Sequence, residues 1–169
     1  MKSFLSCVLL SLGSLVAAAQ TAPAPAAPTA AQNIYAGGLS YDVGGSPAIA
    51  GTALYARNLN TGATLPTYAF TVIDALPESV KPFTVSTNVG AGIAQQVAKV
   101  GNVTVWMPTA AGISWTGTNM GFQWNGGAGA TIPIKGSYGL MPSIRFLKSS
   151  VNGGSGYQLI PGLLFYWGK

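Results

Sequence analysis

The chain has no histidine and a single cysteine, Cys7. Without histidine, neither a Ser-His-Asp triad nor a His-based acid/base pair can be assembled. Metal centres built on His and Cys are equally out of reach. Cys7 lies inside the N-terminal hydrophobic segment, so the remaining chain has no disulfide and no thiol chemistry. The only carboxylates are Asp42, Asp74 and Glu78, too few for an oxygen-only cation site. No catalysis and no cofactor are expected. Charged residues make up 7% of the 169 positions, against about 25% in a typical soluble domain. A water-exposed surface so poor in charge would aggregate. Beyond the leader there is also no apolar run of the ~20 residues that a spanning helix needs. Hydrophobic content is nevertheless 49%. That leaves strands facing lipid, which must form a closed barrel to satisfy their backbone groups, or a sticky secreted β protein.

The stretch Phe83–Ile93 makes the pattern concrete. Phe83, Val85, Thr87, Val89, Ala91 and Ile93 share one face of an extended strand. Thr84, Ser86, Asn88, Gly90 and Gly92 share the other. In a membrane barrel the oily face meets lipid and the small polar face lines the interior. The 23 glycines follow no Gly-X-Y period, which excludes collagen, and they suit the narrow inside of a small barrel.

The N-terminus reads as an export signal over residues 1–19: Lys2, then an apolar stretch from Phe4 to Val16, then Ala17-Ala18-Ala19 before Gln20. Residues 20–32 form a Pro/Ala-rich linker, and the barrel domain is expected over 33–169. Expected strands are Asn33–Val43, Ala48–Asn58, Thr67–Ile73, Phe83–Ile93, Ala98–Met107, Met120–Ile134, Tyr138–Leu147 and Tyr157–Gly168. Asp74–Pro82 reads as a loop, and a turn is placed near Gln95-Gln96. Pro108–Asn119 reads as a longer loop with a short strand at 113–116, and Asn125-Gly126-Gly127 as a bulge. Roughly 17 residues per strand and turn suits eight strands. Pro142 and Pro161 should sit near a strand end or bulge. The fold class is therefore all-β: a closed, antiparallel, up-and-down transmembrane β-barrel of eight strands.

The run from Gly126-Gly127-Ala128-Gly129 through Leu140-Met141-Pro142-Ser143-Ile144-Arg145 to Leu163-Leu164-Phe165-Tyr166-Trp167 resembles the small outer-membrane β-barrels of Gram-negative bacteria. The transmembrane domain of outer membrane protein A is a familiar member. The resemblance spans about Asn33 to Lys169 and rests on pattern. It implies an outer-membrane location, a monomer, and outer-membrane lipid and insertion machinery as partners. Leu163, Phe165 and Trp167 keep the alternation that the machinery reads. Family members usually end on an aromatic residue, whereas Gly168-Lys169 follow here. Enzymes of this type depend on histidine, which this chain lacks.

Tyr35, Tyr41, Tyr68, Trp124, Tyr138, Tyr157 and Trp167 are expected as membrane-interface anchors. With the N-terminus periplasmic, Asp42, Asp74, Glu78, Lys81, Arg145 and Lys148 fall near the outer rim, and Arg57, Lys99, Lys135 and Lys169 near the inner rim. Asp42 and Arg145 are expected to face the lumen and pair across the last strand, since a lone buried charge is costly. The basic residues are scattered, which does not support nucleic-acid binding. Gly90-Ala91-Gly92 and Gly127-Ala128-Gly129 have no following helix or Lys-Ser/Thr pair, so they read as strand glycines rather than phosphate loops. The expected function is structural or a surface interaction. The alternatives are a narrow pore for small solutes and a secreted soluble β-sandwich or lipid-carrying barrel.

Overall fold

A computed structural model describes residues 31–43, 48–60, 65–78, 84–151 and 154–168. The expected export signal, most of the expected linker, Lys81 and Lys169 lie outside these residues. The strands are β1 (Asn33–Asp42), β2 (Ala48–Asn58), β3 (Thr67–Glu78), β4 (Thr84–Val100), β5 (Val103–Thr116), β6 (Asn119–Lys135), β7 (Tyr138–Val151) and β8 (Gly154–Gly168). Each pairs antiparallel with its chain neighbours, and β1 pairs with β8 from Ile34↔Gly168 to Ser40↔Gly162, closing the barrel. Closure gives every strand a partner on both sides, which is the condition for a β structure in hydrocarbon.

Among the described residues, three hairpins are joined by two-residue turns, after Val100, Thr116 and Lys135. Each turn opens on a glycine in the left-handed region: Gly101 (φ 58°), Gly117 (φ 58°) and Gly136 (φ 56°). Such tight hairpin turns need positive φ, which glycine adopts without steric cost. These turns correct two expected boundaries. β4 runs on through Gln95-Gln96 to Val100, and β5 continues through Pro108 to Thr116 as one strand. Outward-facing Met107, Ile113 and Trp115 keep its alternation across the proline. The expected bulge at Asn125-Gly126-Gly127 is absent, because the β6–β7 register is unbroken from Gly121↔Val151 to Gly129↔Ser143. The irregularity lies at Pro133–Lys135.

Pro142 and Pro161 sit mid-strand rather than at strand ends, opposite Leu163 and Ile144. Their missing donors fall where pairing lapses: β6–β7 partners skip from Ser143 to Leu140, and the β1–β8 ladder stops at Gly162.

The outer surface is apolar. Leu39, Ile49, Ile93, Met107, Phe122, Ile134, Phe146 and Leu163 are all more than half exposed. A soluble protein rarely exposes such a continuous belt, whereas a lipid-facing wall requires it. Trp124 folds its ring over outward-facing Gly126, where an added Cβ would lie 3.1 Å from the ring.

Candidate functional site

The lumen is the part of the molecule where polar chemistry is concentrated. Alternation on β1 turns Ile34, Ala36, Ser40 and Asp42 inward. On β3 it turns Tyr68, Phe70, Val72, Asp74 and Leu76 inward. Arg145 points in from β7 and is 6% exposed. Its Nη1 donates to Asp74 Oδ2 at 2.9 Å and its Nη2 to Asp74 Oδ1 at 2.6 Å. The planar guanidinium matches the carboxylate fork, which makes this the strong, geometrically specific form of ion pair. Thr52 Oγ1 donates to the same Oδ1 at 2.7 Å and lies 2.7 Å from Ser40 Oγ. The clamp is thus tied by hydroxyls to β1 and β2.

The carboxylate that Arg145 clamps is therefore Asp74, where the sequence pointed to Asp42. Asp74 belongs to β3, not to a loop, and crosses the lumen from there. Asp42 is buried, with interactions of its own. The Val43 amide donates to the Leu159 carbonyl, placing Asp42 beside Ile160, whose other neighbour is Arg145. The two residues of the expected pair thus flank β8 in one inward-facing row. The sequence does carry a signal for Asp74. It is in step with Tyr68, Phe70 and Val72, so a longer β3 needs that face turned to the lumen, since a charge on the lipid side is costly.

That same logic corrects Tyr68. It is 2% exposed and points into the barrel rather than anchoring its outside. Its hydroxyl donates to the Ala31 carbonyl at 2.6 Å, and its ring meets Trp106 edge-on at 5.1 Å. Trp106, which the sequence reading did not single out, donates its Nε1 to Thr131 Oγ1 at 3.2 Å. Ile34, Ala56, Tyr68, Phe70, Val72 and Ala110 form an apolar plug near the chain termini, with Trp106, Met141 and Tyr166 packed against it. Polar residues occupy the other half of the lumen: Asn88, Ser114, Gln123 and Asn125 are all buried. Ser114 Oγ donates to Gln123 Oε1 at 3.1 Å.

The remaining expected anchors do lie on the outer face. Tyr55, Tyr35, Trp167 and Tyr138 occupy one cross-strand row over β2, β1, β8 and β7. Tyr35 lies 5.1 Å from Tyr55 and stacks on Trp167 at 5.8 Å. Tyr55, 39% exposed, belongs to this belt as well. Toward the opposite end are Tyr41, Trp124 and Tyr157, and Lys148 Nζ lies 5.3 Å from the Tyr157 ring centre. Leu163, Phe165 and Trp167 face outward together on β8.

No protein family and no curated protein matches the sequence. Among solved structures, the chain is similar to Neisserial surface protein A (NspA), with a TM-score of 0.62 and 6% identity over 81% of this chain and 96% of that one. A second is Ail, the attachment invasion locus protein of Yersinia pestis, with a TM-score of 0.48 and 10% identity over 80% of this chain and 97% of that one. The chain has the fold of the eight-stranded outer-membrane barrels. At 6% identity the likeness to NspA is one of architecture.

Proposed function

We propose that this protein is an exported, non-catalytic barrel of the bacterial outer membrane, whose lumen is closed to through-passage. The observation that carries this reading is that side chains block the lumen at two levels. The apolar plug around Tyr68, Phe70 and Trp106 occupies the end near the termini, and the Arg145–Asp74 clamp spans the barrel beyond it. Eight strands leave an interior just wide enough for side chains. The belt of exposed apolar residues supports a hydrocarbon environment for the wall. The aromatic rows support anchoring at the two interfaces. Outer-membrane lipid is then the principal partner, and the β8 row Leu163, Phe165 and Trp167 is the segment offered to the insertion machinery. The barrel is complete as a monomer. A structural role, or an interaction through the turns at the end away from the termini, follows.

Refolding into lipid vesicles tests this directly. The folded barrel should migrate differently on a gel before and after boiling, and should add no stepwise conductance to a planar bilayer. Extraction into buffer without detergent would overturn the membrane assignment. Discrete channel currents would overturn the closed lumen.

A further inference from the structure

We infer that the terminus-proximal end of the lumen is a binding site for a single-chain amphiphile with an anionic head, the class to which a medium-chain fatty acid belongs. Two spaces meet there. The mouth is a cavity of about 360 Å³ whose lining includes Gln96, Lys99, Asn102, Thr104, Ser137 and Tyr166. That volume falls in the range of small-molecule sites, which are apolar with a few placed polar groups. Deeper in the barrel lies a smaller cavity of about 70 Å³ lined by Leu54, Phe70, Val72, Met141 and Leu164 among others. Ile34 and Trp106 line both spaces, so the two meet at a shared wall.

The distribution of chemistry sets the orientation. The inner space is almost wholly hydrocarbon and ends at Arg145. Arg145 is already held by both oxygens of Asp74, so it offers no free charge to a ligand. Lys99 at the mouth is exposed and makes no ion pair among the described residues. A carboxylate head therefore belongs at the mouth, beside Lys99 with Gln96 and Asn102 as further polar neighbours. The chain runs inward past Trp106. An apolar cavity of this kind is dry when empty and takes up apolar groups.

Methionine methyl groups give a direct readout, because Met141 lines the inner cavity while Met107 and Met120 face outward, 56% and 64% exposed. The mature protein, labelled at the methionine methyls and refolded in phospholipid nanodiscs, is titrated with decanoate and, separately, with decanol. Saturable displacement of the Met141 resonance by decanoate is expected, with Met107 and Met120 following only bulk partitioning. Lys99→Gln should weaken decanoate about fivefold, the worth of one cation at an interface, and leave decanol unchanged. Leu54→Trp, which fills the inner space, should abolish the Met141 response. A Met141 signal that never moves, or moves without saturating, overturns the site. Equal affinity for decanoate and decanol overturns the anionic head.

Discussion

At Arg145 the barrel places a permanent charge where water is scarce, and the energetic consequence depends on whether its partner stays. Removing one member of a buried pair strands the other charge and typically costs about 3–5 kcal/mol, whereas replacing both with apolar groups is often neutral. Arg145→Met should therefore lower barrel stability by about that amount, since Asp74 would remain buried and charged with Thr52 donating to its Oδ1 but no cation beside it among the described residues. The double variant Arg145→Met/Asp74→Leu should recover most of the loss. Urea unfolding in lipid vesicles reads both. A single variant as stable as the parent would show that the clamp carries no net energy. Half of this arrangement was legible beforehand: an arginine in step with Gly139 and Ser143 on one face of a strand must face inward. The other half was not, because Asp74 and Pro77 together look like a loop, and only the full length of β3 puts the carboxylate in the lumen.

Among the elements, the β4–β5 hairpin is where glycine position matters most. Gly92 and Gly112 face inward on adjoining strands, and there is no room for a side chain at either. A Cβ on Gly92 would run into the Thr109 carbonyl and lie 2.5 Å from the Ala110 Cα; one on Gly112 would meet the Val89 carbonyl. Gly90 differs. A Cβ there would meet side-chain atoms and no backbone: Asn125 Nδ2 at 3.0 Å, Gln123 Nε2 at 3.5 Å and, at ordinary contact distance, Ala110 Cβ at 3.6 Å. Both of those nitrogens are buried and have no hydrogen-bond partner among the described residues. Gly92→Ala and Gly112→Ala should each cost more than about 2 kcal/mol, because backbone must shift to admit the methyl. Gly90→Ser should fall within about 1 kcal/mol of the parent, its hydroxyl accepting from one of the stranded amides. Refolding yield and urea midpoints in vesicles check the contrast. A uniform penalty at all three sites would mean that glycine serves backbone conformation here rather than clearance. The facing of β4 was readable from its period of two. The end of the strand was not, because Gln95-Gln96 interrupts the apolar face as a turn would, and Pro108 breaks the pattern of β5 although its alternation resumes at once.

For the whole molecule, the inside-out plan was legible from composition: too apolar for water, too interrupted for helices, and alternating throughout. What composition could not disclose is that the interior is divided. The half near the termini is packed with Tyr68, Phe70, Trp106 and Tyr166, so inward-facing aromatics and outward-facing aromatics coexist in one chain. Residue type alone cannot separate them; only register with a charged or hydroxyl-bearing neighbour does.

The four tryptophans turn that division into a measurement, because they sit on opposite sides of the same wall. Trp115, Trp124 and Trp167 are outward and 37%, 46% and 39% exposed. Trp106 is inward, edge-on to Tyr68 and bonded to Thr131. In a bilayer the first three meet acyl chains or the interface, while the strand backbone stands between Trp106 and lipid. A variant retaining only Trp124, with the others changed to Phe, should lose most of its fluorescence when refolded into vesicles of brominated phospholipid. The corresponding variant retaining only Trp106 should lose far less. If both were quenched alike, β5 would be turned the other way, and the plug, the two cavities beside Trp106 and the lumenal clamp would all have to be placed anew. If neither were quenched, the apolar wall would not be in contact with lipid at all. Strong quenching of Trp124 with sparing of Trp106 requires both the membrane location and the register of β5 and β6, so the pair of variants tests them together.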